Sequence, residues 1–317
     1  MPFYGDPWRT EYFAAHPVAP HVRIPITDDW SWQFYPAHRW VYNKLLVAES
    51  QGLPHGPHGT EPPSYPVFSK PIYNLTGMGK GSCAIGSAAE YLERLTPGHM
   101  WMPLLEGRHV SSDAALVDGV PHWWRHTTGK PGPGGTFDYW TVHAAPDATL
   151  EAYLGAWVAR HLQRFTGIVN FETIGGVIIE CHLRMAEQWV DLNGAGWLEA
   201  VIGLYTEGRW RFDDRPREGY SVVLFGPNGR RWSYDMADVE PFRKRPSVST
   251  VQITFQTEYA PEVHVNPPGG FRLAIVNCWD LAAGLAARAD IARIFVADPP
   301  VVDEPAGDAP IAAFQRA

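Results

Sequence analysis

The chain has 317 residues, 45% hydrophobic and 19% charged, with a net charge of −8 at pH 7 and a pI near 5.9. That length supplies a core for one large or two modest domains, and the acidic balance excludes a general nucleic-acid binder, which presents a basic face. There is no 18-residue apolar run and no signal-like start, so neither a membrane span nor export is expected; three scattered cysteines, Cys83, Cys181 and Cys278, form no metal-ligand spacing and fit a reducing cytoplasm.

Residues 1–40 are rich in Pro, His and aromatics, with one strand-like run, His21 to Ile26, and a turn or cap at Thr27-Asp28-Asp29. Trp40 to Glu49 has helical spacing, with Val41, Leu45 and Ala48 on one face and Lys44 near its start. Gln51 to Ser64 reads as a Pro/Gly loop, and its His55 and His58 read as a solvated pair rather than a metal site.

The chemistry gathers at Phe68 to Ser82. Val67 and Phe68 deliver Lys70 at the end of a short apolar run, and Gly77-Met78-Gly79-Lys80-Gly81-Ser82 follows. Glycine lets the backbone approach a polyanion and take up positive φ, so successive N–H groups face phosphate oxygens. The loop is not a P-loop, which needs a glycine where Asn74 stands, nor a dinucleotide fingerprint, which has a glycine where Ser82 stands. A plain glycine turn between strands is the alternative for the loop alone. Of 26 Lys and Arg residues only five are lysines, Lys44, Lys70, Lys80, Lys130 and Lys244. Where arginine carries the surface charge, a retained lysine supplies a compact ammonium, and two of the five fall in this stretch.

Ser87 to Leu95 reads as a helix closed by Thr96-Pro97-Gly98. Met100 to Leu105 is a continuous apolar run, Val110 to Val117 an alternating strand, Asp118-Gly119 a hairpin turn and Val120 to His126 its return strand. His122 and His126 have zinc-pair spacing without the accompanying glutamate and read as strand residues. Lys130 to Gly135 reads as a mobile loop, and Leu150 to Phe165 as the clearest amphipathic helix, with Leu154, Trp157, Val158 and Leu162 on one stripe.

Ile168 to Ile174 and Val177 to Arg184 form a hairpin around Gly175-Gly176. Asn170 and Glu172 share one strand face, and Glu180, His182 and Arg184 share another. Such ligands suit Mg²⁺ held jointly by carboxylates and substrate phosphates, although a solvated hairpin face has the same pattern. Trp197 to Tyr205 then reads as a helix, 219–235 and 249–258 as strands, Phe271 to Val276 as a strand, Cys278 to Arg288 as a helix, and 297–317 as a disordered tail. Trp123, Trp124 and Trp140 are candidate walls of an acceptor pocket, a role that core packing explains equally well.

Taken together, these elements resemble an ATP-grasp domain from about Tyr42 to Arg184, and more weakly through the C-terminal strands. The resemblance implies an α+β fold of two subdomains with nucleotide between them. It divides the chain into an abbreviated N-terminal segment over 1–40, a small subdomain over 41–99, a large one over 100–296 and the tail. It implies ATP-binding lysines at Lys44 and Lys70, a phosphate-covering loop at Gly77, Gly79, Lys80, Gly81 and Ser82, an adenine hinge at Met102, Pro103, Leu104 and Leu105, and a ribose neighbour at His109. The family's Glu-x-Asn-x-Arg signature appears as Glu180-Cys181-His182-Leu183-Arg184. That match assigns Mg²⁺ to Glu180 and Glu172, with Asn170 and His182 beside them, and the transferring phosphoryl group to Arg184.

The chain departs from the family at three points. His182 replaces the asparagine, Met102 stands where a glutamate is frequent, and only 43 residues precede Lys44, where a Rossmann-like domain on the order of a hundred residues is usual. The implied activity is ATP-dependent activation of a small-molecule carboxylate as an acylphosphate, captured by an amine or other nucleophile, in a cytoplasmic protein with a homodimer among its possible states. Two alternatives stand beside it: a catalytically weak ATP-binding protein of the same fold, and a metal-dependent hydrolase built on His109, Asp113, His122 and His126.

Overall fold

The structure, a computed structural model, describes residues 3–4, 7–16, 18–264 and 266–298. Most of the stretch read as a tail therefore lies outside the described residues. Strands β1 (Phe3–Tyr4) and β2 (Ile24–Pro25) pair in parallel around helix α1 (Pro7–Thr10). Where a turn or cap was expected, Thr27 is the N-cap residue of helix α2 (Asp28–Phe34); Asp28 and Asp29 occupy its first turn, where carboxylates meet the positive end of the helix dipole. The expected Trp40–Glu49 helix is broken at Asn43, whose side chain accepts from the N–H groups of Leu45 and Leu46 and so caps helix α3 (Lys44–Glu49).

A smaller antiparallel sheet contains β3 (Gly56–Pro57), β4 (Val67–Pro71), β5 (Cys83–Ile85) and β6 (His99–Pro103), in the spatial order β3-β6-β4-β5, with helix α4 (Ala88–Glu93) linking β5 to β6. The expected small subdomain over 41–99 ends at the first residue of β6. Met100–Pro103 completes the smaller sheet, because Phe68 faces Met102 and Lys70 faces Met100 across the β4–β6 ladder.

The larger sheet opens with β7 (His109–Val117), β8 (Val120–Pro131) and β9 (Phe137–Val142), continues after helix α5 (Ala148–His161) with β10 (Gly167–Ile174) and β11 (Val177–His182), and after helix α6 (Trp197–Glu207) with β12 (Gly219–Gly226). The short strand β13 (Trp232–Ser233) and helix α7 (Met236–Arg243) precede β14 (Val248–Ile253) and β15 (Phe271–Cys278); helix α8 (Leu281–Ile291) and β16 (Val296–Ala297), which pairs with β13, end the described chain. Its eight strands run antiparallel in the order β11-β10-β7-β8-β9-β12-β15-β14.

Strand alternation decides what covers each face. Ala114 and Leu116 bury against Leu154, Trp157 and Val158 of α5, whereas Ala115 between them packs with Trp197 and Val201 of α6. At the other end, Val222 and Val276 pack against Val239 of α7 and Ala287 and Ile291 of α8. The expected mobile loop at Lys130–Gly135 begins as strand, since β8 continues through a Lys130–Tyr139 pair, and Pro133–Gly135 forms a short 3-10 turn. Neither β9 nor α7 stood out in the sequence.

Candidate functional site

A cleft of about 670 Å³ runs between the smaller sheet with its glycine loop and the larger sheet. Its wall is the β10–β11 hairpin, whose register sets Glu172 directly opposite Glu180 and Asn170 opposite His182. Two carboxylates facing each other across strands repel unless cations stand between them. Here Lys44 Nζ lies 3.4 Å from Glu180, and His109 Nε2 lies 3.3 Å from Glu172. His182 Nε2 lies 3.5 Å from Glu180 and 4.0 Å from Glu172. Burial opposes the charged form of His109, but the hydrogen bond and charge of Glu172 lift it above the usual histidine range; burial likewise opposes ionisation of Glu172, and His109 and His182 hold it well below the usual carboxylate range.

Asp28 organises the end of the hairpin. His182 Nδ1 donates to Asp28 Oδ2 at 3.0 Å, while Arg184 donates from Nε to Oδ1 at 3.0 Å and from Nη2 to Oδ2 at 3.1 Å. Burial would raise the Asp28 carboxyl, but Arg184 and then His182 hold it well below the carboxylate range. Arg184 lies beyond the end of β11, so it reaches the cleft through this pairing and not by sharing the strand face of Glu180. The other ring nitrogen of His182, Nε2, is buried without a hydrogen-bond partner among the described residues and faces the two glutamates. Sequence reasoning missed Asp28; the contact joins residues 154 positions apart, and no local pattern signals it.

The two lysines arrive from opposite elements, Lys44 at the start of α3 and Lys70 in β4, and both are buried. Lys70 Nζ donates to the Ile179 carbonyl at 2.8 Å, and burial pushes its ammonium down to about 8, with Glu180 opposing the fall and Lys44 adding to it. In the glycine loop, Gly77, Met78 and Gly79 all have left-handed φ, of 73°, 62° and 60°. Asn74 secures that turn, accepting from Thr76 and from the Gly77 N–H and donating to the Gly77 carbonyl. Gly77, Gly79 and Ser82 line the cleft.

Several expected site residues are not brought to this cleft. Lys80 and Gly81 are exposed and do not line the cleft. Met102 is 3% exposed in a cluster with Ala48 and Met100, so a β4-facing strand residue replaces the expected hinge contact. Pro103, Leu104 and Leu105 lie outside the cleft wall, and the Leu104 N–H points to the Pro66 carbonyl at 3.5 Å. Asn170 lines the cleft, but its Nδ2 donates to Ser111 and Asp113. Trp123 packs with Trp197 and Trp210, and Trp124 with Phe171, away from the cleft that Trp140 lines.

The residues of the hydrolase alternative are scattered. His126 bonds Ser112 and Glu151, His122 is exposed, His109 pairs with Glu172, and Asp113 accepts from Asn170 and Ala186. Ser112 and Asp113 are successive strand residues, so His126 and Asp113 fall on opposite faces of the sheet. Among the described residues no group of three His, Cys, Asp or Glu side chains is already gathered as a metal cage.

Two sheets enclosing a cleft, with buried lysines on one side and a carboxylate hairpin on the other, make this an ATP-grasp fold. The chain is similar to the L-amino acid ligase of Bacillus licheniformis, with a TM-score of 0.60 and 14% identity over 92% of this chain and 83% of that one. It is similar to N5-carboxyaminoimidazole synthase of Aspergillus clavatus, solved with ADP and 5-aminoimidazole ribonucleotide, with a TM-score of 0.61 and 11% identity over 92% of this chain and 91% of that one. The biotin carboxylase domain of the Hydrogenobacter thermophilus 2-oxoglutarate carboxylase, solved with MgADP, ADP and bicarbonate, matches 87% of this chain and 69% of its own at a TM-score of 0.53 and 12% identity. At such identities what is shared is the fold. No protein-family model matches the sequence, and no curated protein matches it. Among the described residues no helix is long and apolar enough to cross a membrane.

Proposed function

We propose that this protein is an ATP-dependent ligase that activates a carboxylate as an acylphosphate for attack by an amine or another nucleophile. The observation that carries the reading is the convergence of Lys44 and Lys70, both buried, on a hairpin that sets Glu172 against Glu180 in a cleft edged by a glycine loop. Apart from a polyanion with its counter-cation, few ligands suit two buried ammoniums and two carboxylates at once. The similar structures are of a ligase, a synthase and a carboxylase domain, and two of the three were solved with ADP.

In this reading Lys44 and Lys70 hold the α- and β-phosphates, and Gly77, Gly79 and Ser82 cover the β/γ end. Glu172 and Glu180 would hold Mg²⁺, with His182 beside them. The carboxylates fit: Mg²⁺ binds through one or two carboxylates plus substrate phosphates, so a complete protein cage is not required, and the hairpin register sets these two carboxylates directly opposite each other. Bound there, the ion would neutralise charge on the transferring phosphoryl group.

The chemistry is positioning and charge compensation. A substrate carboxylate oxygen attacks the γ-phosphorus, the bond from that phosphorus to the bridging oxygen breaks, and ADP leaves with the electron pair. The nucleophile then adds to the acyl carbon, phosphate departs and the nucleophile's proton is released. Arg184, oriented by Asp28, stabilises the negative charge of the acylphosphate. A second reading, a nucleotide-binding protein with weak turnover, is favoured by the commitment of Arg184 to Asp28 and of Met102 to the core.

Isothermal titration of ATP with and without Mg²⁺ tests the site. Metal-enhanced micromolar binding, on the order of −8 kcal/mol, is the expected result. ADP release across a panel of carboxylates and amines then separates ligase from binder. No detectable ATP binding would overturn both readings.

A further inference from the structure

Beyond the glutamates, aromatic rings floor the cleft. His109 packs against Phe137 and Trp140 with centroids 5.7 and 5.6 Å away, Phe137 and Trp140 are 4.3 Å apart, and Trp140 lies 5.3 Å from Trp189. The ladder runs from the histidine that touches Glu172 to Trp189, in the segment that follows Arg184, and all four rings line the cleft. Such a surface takes a flat ring by offset stacking or edge contact.

Two fixed donors stand where the ladder meets that segment. The Gln188 carbonyl accepts from Gln252 Nε2 at 2.9 Å and from Asn277 Nδ2 at 2.7 Å, pinning the residue to β14 and β15. Its side-chain Oε1 accepts from Arg272 Nη1 at 3.0 Å. A guanidinium only donates, so the orientation of the amide is settled and Nε2 is its donor end. That Nε2 is buried with no partner among the described residues, and so is the indole Nε1 of Trp189, which is 4% exposed. Both residues line the cleft, as does Arg272. A buried donor without an acceptor is unstable, and donors on two successive residues of the cleft wall, one of them on an amide whose oxygen is held by a guanidinium, suit an anionic oxygen pair.

We propose that this part of the cleft is the subsite for the acid to be activated, and that the acid is an aromatic carboxylate. Its ring lies on Phe137, Trp140 and Trp189, and its carboxylate oxygens accept from Gln188 Nε2 and Trp189 Nε1, along the same segment that carries Arg184. The role as the activated acid rests on the ligase reading, whereas the binding itself does not.

The test is isothermal titration of phenylacetate, its neutral counterpart phenylacetamide, and acetate into the full chain, with MgATP titrated separately. Phenylacetate should bind at least tenfold more tightly than either of the other two. Trp189→Phe keeps an aromatic ring and removes the N–H together with the five-membered ring that carries it, and should weaken phenylacetate about tenfold or more, the size of a hydrogen bond to a charged acceptor, while changing phenylacetamide less. Gln188→Glu should abolish binding by placing a carboxylate beside a carboxylate; if that variant fails to fold, Trp189→Phe still decides. A parent chain that binds MgATP but not phenylacetate overturns the subsite, as does equal binding of phenylacetamide or of acetate, or a Trp189→Phe variant that binds like the parent. Binding of phenylacetate without MgATP would uphold the subsite and overturn the ligase reading instead; binding of neither overturns both.

Discussion

Asp28 ties two cleft side chains to one carboxylate. Its carboxylate is the shared acceptor for a buried imidazole and a buried guanidinium. Asp28→Asn keeps the shape and removes the charge, leaving Arg184 without its counter-ion. Breaking a buried pair in this way costs about 3–5 kcal/mol, so urea unfolding at neutral pH should show a loss of that order. A loss below about 1 kcal/mol would mean that Glu187, 3.7 Å from Arg184, suffices as partner. Asp113 behaves in the opposite way. Burial pushes its carboxyl up to about 6, against the opposing hydrogen bonds of Ala186 and Asn170, and its Oδ2 has no partner among the described residues. The folded chain thus keeps a proton that the unfolded chain has already lost, and stability falls as pH rises from the unfolded value of about 4 through 6. Asp113→Asn lacks that loss. The variant should match the parent near pH 4 and exceed it by about 2–3 kcal/mol at pH 8; a difference independent of pH would show that the carboxyl titrates normally.

At the scale of elements, the hairpin depends on one glycine far more than on its neighbour. Gly175 and Gly176 both have left-handed φ, of 58° and 84°. A Cβ on Gly175 would meet the Glu106 carbonyl oxygen well inside contact distance, whereas one on Gly176 would meet nothing within 4 Å. Gly176→Ala should therefore cost about 1 kcal/mol for the backbone conformation alone, and Gly175→Ala clearly more, because backbone must move. Thermal midpoints of the two variants check the order; equal midpoints would show that the 106–107 segment yields freely. The same hairpin shows what was legible in the sequence. Its two glycines and its bounding apolar runs are local, so β10 and β11 could be read directly, whereas the pairing of Glu172 with Glu180 depends on a register shift between Glu172 and Thr173 that no local pattern marks. Local signals failed elsewhere for identifiable reasons. The Pro/Gly run at 131–135 masked the aromatic strand β9, Pro241 sits inside α7, and nothing in the apolar run Met100 to Leu105 tells which sheet its strand will join. The cleft's Asp28, Gln188 and Trp189 are fixed by partners far along the chain, so composition around them carries no sign of their roles.

For the whole molecule, the question is what two sheets gain by burying lysines between them. Burial already costs Lys70 part of its preference for the ammonium form, since its value has fallen to about 8. A structural lysine would rarely be kept on those terms, whereas a polyphosphate arriving from solvent compensates both Lys44 and Lys70 at once. Removing Lys70 should therefore leave the apo chain about as stable as before and abolish its response to ligand. A ligand present at a hundred times its dissociation constant stabilises by about 2.7 kcal/mol, which for a chain of this size raises the thermal midpoint by roughly 5 °C. The parent should show that rise with MgATP, and Lys70→Ala should show none. Lys130→Ala is the control, because Lys130 is an exposed lysine in the larger sheet, 3.9 Å from Asp138 and outside the cleft wall, and its removal should preserve the full rise. If both variants respond like the parent, nucleotide binds elsewhere and the buried lysines serve the fold alone.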